Sequence, residues 1–170
     1  GTAAPGSAGA VAGSEAGTAG QSDDALDPVE RELAGRALTE EGAMQELAAQ
    51  GGEQCFRSGA LRALLGPWLA SGSPPSSDEL DGLLREDPLA RALLAQLPHG
   101  AGRTLELSRR EARDLILRLE ERRLKASIQA LDQAIRDAER GRDEGSLGRL
   151  IAERRDLASK LHTRNHSAIG

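Results

Sequence analysis

The sequence predicts an all-α fold: a helical bundle subdomain, then a long helix and an antiparallel C-terminal helical hairpin. Three observations carry this expectation. The 170 residues hold 26 Leu against two Val and five Ile, with one Phe, one Trp and no Tyr. Strands draw on β-branched and aromatic residues, whereas a Leu, Ala, Glu and Arg vocabulary suits helices. Apolar residues return at helical spacing behind recognisable start signals. The last 60 residues then carry two heptad seams that register with each other.

Residues 1–23 are expected to be a disordered linker. Gly, Ala, Ser and Thr make up 18 of the first 22 positions, which leaves almost nothing to bury. A chain that begins in such a linker reads as a piece of something longer. Order is expected to begin near Asp27, and Asp27-Pro28 is a start signal, with Asp as N-cap and Pro at the first helical position. Val29, Leu33 and Ala37 follow on one face. A second helix is expected from Thr39, with Glu40 and Glu41 in its first turn, Met44 and Leu47 inside, and Gly51-Gly52 as its stop. Cys55-Phe56 anchors the next loop. Leu61, Leu64, Leu65, Trp68 and Leu69 form a strong apolar face, which Gly66-Pro67 is expected to kink or split. Trp68 reads as core.

The stretch Ser71–Ser77 is turn-like, and Asp78 and Glu79 open a short helix holding Leu80, Leu83 and Leu84. Asp87-Pro88 repeats the first start signal, with Leu89, Leu93, Leu94 and Leu97 behind it. Pro98–Gly102 stops that helix. Ser108-x-x-Glu111 reads as a capping box that opens the longest helix, running to about Arg140. At ~1.5 Å per residue it spans roughly 50 Å. Gly141–Ser146 is the next break. Ser146 is expected to cap a last helix from Leu147 to about His162, followed by a flexible tail at 164–170.

In the long helix Leu124, Ile128, Leu131, Ile135 and Ala138 step by 4, 3, 4, 3; in the last helix Leu147, Leu150, Arg154, Leu157 and Leu161 step by 3, 4, 3, 4. Folding the chain back at the break pairs Ala138 with Leu147, Ile135 with Leu150, Leu131 with Arg154, Ile128 with Leu157, and Leu124 with Leu161. That is the register of a helical hairpin. Upstream, Ala112, Leu115 and Leu119 form a separate stripe. The five-residue step from Leu119 to Leu124 rotates the apolar face by roughly 140°. The long helix is therefore expected to serve two units, a bundle over 24–120 and a hairpin over 121–163, with a flexible joint near Glu120–Arg123.

The net charge of −5 is uneven: residues 109–164 carry 15 Lys/Arg and 11 Asp/Glu, and residues 1–108 carry 7 and 16. The acidic part would repel nucleic acid, and the basic part is too mixed for a DNA-binding stripe. No apolar run approaches the ~18 residues of a membrane span. The lone Cys55 excludes an intrachain disulfide framework and a multi-cysteine metal site, so a reduced intracellular setting is the default. No cofactor is expected. Gly51-Gly52 and Gly100-x-Gly102 lack the strand context of a nucleotide-binding loop. His162 and His166 have helical ligand spacing, but they sit near the end of the chain with no carboxylate cluster. Glu120-Glu121 and Asp143-Glu144 read as solvated faces and not as acid–base pairs.

Two stretches then carry a resemblance. The acidic run VERELAGRALTEEGAMQELAAQGGEQCFRSGALRALLGPWLASG covers 29–72, and EARDLILRLEERRLKASIQALDQAIRDAERGRDEGSLGRLIAERRDLASKL covers 111–161. Together they resemble the C-terminal helicase-binding domain of bacterial DnaG-type DNA primase. Phe56, Leu61, Arg62 and Leu64 match one stretch of the family pattern. Leu119, Arg122, Leu124, Ile128 and Leu131 match its long helix, and Leu147–Leu161 its terminal helix. The resemblance spans about residues 27–162 and rests on hydrophobic pattern and element order. Gly66-Pro67 and the SGSPPSS stretch depart from it.

The resemblance implies a non-catalytic interaction domain that binds the N-terminal domains of a hexameric DnaB-type replicative helicase. It implies recruitment of primase for RNA primer synthesis in DNA replication, in the bacterial cytoplasm at the fork. The bundle would modulate helicase activity, and the zinc-binding and RNA-polymerising parts would lie upstream. The expected contact residues are Arg149, Arg154, Arg155, Leu157, Lys160 and Leu161. The leucines would supply apolar area and the cations charge complementarity. No direct nucleic-acid contact and no membrane are expected of this chain. Two alternatives stand beside this reading: a helical adaptor that self-associates through the hairpin seam, and the related N-terminal domain of the helicase itself.

Overall fold

Asp27 opens the first helix as its chemistry requires: its carboxylate accepts from the Val29 amide at 2.8 Å and the Glu30 amide at 3.3 Å, two donors that no helical carbonyl could satisfy. The structure is a computed structural model that describes residues 25–100 and 102–167; the linker expected at 1–23 and the last residues of the expected tail lie outside them. Every regular element among the described residues is helical. The order is α1 (Pro28–Thr39), α2 (Glu41–Gln50), a 3-10 turn (Gly52–Cys55), α3 (Gly59–Leu69), α4 (Ser77–Glu86), α5 (Pro88–Leu94), α6 (Leu105–Gly141) and α7 (Glu144–Ser167). The all-α class is as the composition predicts.

The core is one cluster. Leu33, Ala37, Met44, Leu47, Leu61 and Leu65 from α1 to α3 are completely buried, with Phe56 between the helices. Ala112, Leu115, Ile116 and Leu119 of α6 close it. No residue after Leu119 belongs to this cluster. Two glycines permit close approach. A Cβ on Gly42 would overlap the Leu105 carbonyl oxygen, and one on Gly35 the Pro98 carbonyl oxygen.

Three glutamates are buried, and each is satisfied. Glu30 accepts from the Arg57 amide at 2.7 Å and the Ser58 amide at 3.2 Å, tying the loop before α3 to α1. Glu40 accepts from the Ser108 hydroxyl at 2.6 Å and pairs with Arg103 at 3.1 Å. Glu46 pairs with Arg113 at 2.8 Å, and Gln50 donates to it at 3.0 Å. The Arg113 hydrogen bond holds the Glu46 carboxyl below the ordinary glutamate range, against the opposing effect of burial. A buried charge without such partners would cost several kcal/mol or more.

Several local expectations change. Thr39 ends α1, with its hydroxyl donating back to the Gly35 carbonyl at 2.9 Å, and α2 starts only at Glu41. Gly66-Pro67 does not split α3, which runs through to Leu69. Pro67 lies in the last turn, where its missing amide removes a single helical bond. Ser108-x-x-Glu111 is not a capping box. The cap of α6 is Thr104, and Ser108 lies one turn inside, 1% exposed, with its hydroxyl spent on Glu40. Glu111 instead pairs with Arg36 and Arg103. The box forms at Ser76 and Glu79, where side chain and backbone satisfy each other at 3.3 and 2.7 Å.

The turn before the last helix differs too. Gly141 stays helical, and Arg142 takes the left-handed conformation at φ 54°. Ser146 does not cap α7. Asp143 does, accepting from the Ser146 amide at 3.1 Å, so the helix begins at Glu144. Hydrogen bonds from Ser146 hold the Asp143 carboxyl below the ordinary aspartate range. At the other end α7 continues past His162 to Ser167, so the expected flexible tail is helical as far as that residue. The long helix also runs unbroken through Glu120–Arg123, where a joint was expected. Arg122 there grips Asp27 at 2.8 and 3.0 Å, joining α6 to the cap of α1.

Candidate interaction surface

Beyond Leu119 the apolar face of α6 turns from the core cluster to α7. Leu124, Ile128, Leu131, Ile135 and Ala138, and on α7 Leu147, Leu150, Arg154, Leu157 and Leu161, are all half-buried. None is fully buried, because two helices alone cannot enclose a seam. Two ion pairs set the direction and register: Arg154 with Asp132, and Arg164 with Glu120. Higher numbers on α7 meet lower numbers on α6, so the helices are antiparallel. Both pairs fall one residue to either side of the register in which Leu131 faces Arg154.

The expected contact residues divide into three kinds. Leu157 and Leu161 lie in the seam against α6, half-buried. Arg154 also lies in the seam, and its head is engaged by Asp132, whose carboxyl the Arg154 hydrogen bond holds below the ordinary aspartate range. Arg154 is thus a seam residue with an internal partner. Arg149, Arg155 and Lys160 are exposed and form no ion pair among the described residues. Ile151, at 41% exposure, lies on a flank of α7 one turn before Arg155 and about 160° around the helix from Arg149. The free surface of α7 carries both signs, because Glu144, Glu153 and Asp156 are exposed too and equally without an ion pair among the described residues.

Near the C-terminal end of α7 a cavity of about 490 Å³ lies between the two helices. Arg123 and Leu124 of α6 face Lys160, Thr163 and Arg164 of α7 across it. Lys160 and Arg123 both line it, next to the Leu124–Leu161 pair of the heptad register. Cys55 is buried, and burial pushes its thiol up, which suits a packing role and not a nucleophilic one. The His162 and His166 rings lie against each other, with centroids 4.3 Å apart. No helix among the described residues is long and apolar enough to cross a membrane. No family model, curated protein or solved structure matches this chain.

Proposed function

We propose that this chain is a non-catalytic interaction domain of a bacterial DNA primase that docks α7 onto the N-terminal domains of a hexameric replicative helicase. The observation that supports it most is the position of α7. That helix packs on α6, contributes nothing to the core cluster, and leaves Ile151, Arg149, Arg155 and Lys160 exposed, the three cations without an ion pair among the described residues. An element outside the core cluster that leaves cations and a large apolar residue exposed is available to a partner. The resemblance of 29–72 and 111–161 to the helicase-binding primase domain supplies the partner's identity. Steering by the three cations would raise the association rate and make binding salt-sensitive.

The test is a titration of the chain into purified hexameric replicative helicase at two salt concentrations. Saturable binding that weakens with salt is expected. Removal of residues from Arg155 onward should abolish binding and leave the bundle folded, since the core cluster ends at Leu119. Unchanged affinity of that truncated chain would refute the assignment to α7. A second reading has one observation in its favour: all ten seam positions are only half-buried. A second hairpin packed on the seam would make a four-helix assembly. Mass that rises with concentration, with no helicase binding, would favour that self-associating adaptor.

A further inference from the structure

Helix α5 is apolar on more than one face, although it has only seven residues. Ala90 and, just past the helix, Leu97 are buried in the core, and Leu94 packs against it. Leu89 points elsewhere and is 82% exposed, the most exposed large hydrophobic among the described residues. It forms one lip of a groove of about 790 Å³ between α3 and the α4–α5 pair. Leu64, Trp68, Leu83 and Leu93 line the interior. The charged residues of the groove are Glu79, Glu86 and Asp87, and no Lys, Arg or His lines it.

From this geometry we infer that the groove is a docking site for a cationic amphipathic helix of a partner protein. Each conclusion about the occupant follows from one feature of the site. The apolar lining takes a ridge of Leu-like side chains. The walls are helices of 11 and 10 residues, about 15 Å long at ~1.5 Å per residue, which accommodates roughly three turns. An apolar trough between helices receives an amphipathic helix by its apolar face. Glu86 is joined by Glu79 and Asp87, whose carboxylates also cap α4 and α5, and with no cation in the lining this net negative charge selects Lys and Arg on the flanks of that helix. A second copy of this chain is a poor occupant. Its own cationic helix, α7, offers Ile151 as its one exposed large hydrophobic among the described residues, too little to fill the groove. The site lies on the bundle, apart from α7, and does not depend on helicase binding.

Trp68 is the sole tryptophan of the chain, so its fluorescence reports on the groove directly. The probe is a synthetic Leu/Lys amphipathic peptide of about five helical turns, titrated into the full chain. A Leu/Glu peptide with the same apolar face is the control. The Leu/Lys peptide should move Trp68 emission to the blue and saturate; the Leu/Glu peptide should not. Leu89→Asp should weaken the Leu/Lys peptide at least about tenfold, because it removes the apolar lip. Leu107→Asp, at an exposed leucine outside the groove, should leave binding unchanged. The Leu89 variant also adds negative charge, so adsorption by charge alone would tighten binding. Equal or tighter binding by Leu89→Asp, or a silent Trp68, would overturn the assignment. A Trp68 shift on concentrating the chain alone, with a doubled mass that Leu89→Asp abolishes, would make the occupant a second copy and overturn it also. Leu89 is exposed, so circular dichroism of the variant should match the parent.

Discussion

Replacing Ser108 with Ala tests whether the hydroxyl serves a buried network or a helix cap. Its Oγ donates to Glu40 at 2.6 Å from a position that is 1% exposed. Glu40 is itself buried, and Arg103 at 3.1 Å is its charged partner. Removing a hydrogen bond to a charged group costs about 1.5–3 kcal/mol. Ala gains about 0.5 kcal/mol over Ser in a helix interior, so the net loss should be about 1–2.5 kcal/mol. For a chain of this size that is a drop of roughly 2–10 °C in Tm. The magnitude alone does not discriminate, because loss of an N-cap costs about 0.5–2 kcal/mol. Coupling does. In urea unfolding, a double-mutant cycle of Ser108→Ala with Glu40→Gln should show an interaction of about 1 kcal/mol or more. The same cycle with Glu111→Gln should show less, since Glu111 reaches Ser108 only indirectly, through Arg103 and Glu40. Stronger coupling to Glu111 than to Glu40 would restore the capping box and refute the buried network.

Three further predictions concern packing, pH and register. Gly42→Ala should destabilise by about 1–3 kcal/mol through overlap with the Leu105 carbonyl. Gly148→Ala, with open space around it, should stabilise by about 0.4–1 kcal/mol, both read by thermal melts. Glu46 sits below the ordinary glutamate range in the folded state. Its contribution is thus fully present above the unfolded value of about 4.3 and is lost as pH falls through the folded one. Urea midpoints for Glu46→Gln should therefore show a flatter acid limb than the parent over that range. The paired cysteine substitutions Ile128→Cys and Leu157→Cys should crosslink on mild oxidation, while Ile128→Cys with Leu161→Cys, one turn out of register, should not. Buried Cys55 should not compete. Equal crosslinking of both pairs, seen as a mobility shift on a gel, would show that the seam slides.

The all-helical class, the Asp27 and Asp87 caps and the heptad seams were legible because each depends on residues close in sequence. A cap spans three residues and a seam repeats every seven, so the pattern itself carries the geometry. The change of face after Leu119 was legible for the same reason. Two identical S-x-x-E patterns show where local reading stops. Ser76 and Glu79 form the box, and Ser108 and Glu111 do not. What separates them is Gly42, far away in sequence, which lets α2 close on the start of α6 and bury Ser108 against Glu40. The buried roles of Glu30, Glu40 and Glu46, the engagement of Arg154 by Asp132, and the groove beneath Leu89 arise in the same way. Periodicity specifies which face of a helix is apolar. It does not specify how many neighbours arrive to cover that face, because that number is set by packing across the whole bundle. The sequence by itself thus determined that this protein is helical and that α6 and α7 share a seam. Only the tertiary structure decided which carboxylates were buried, which cations were left free, and which apolar face was left uncovered.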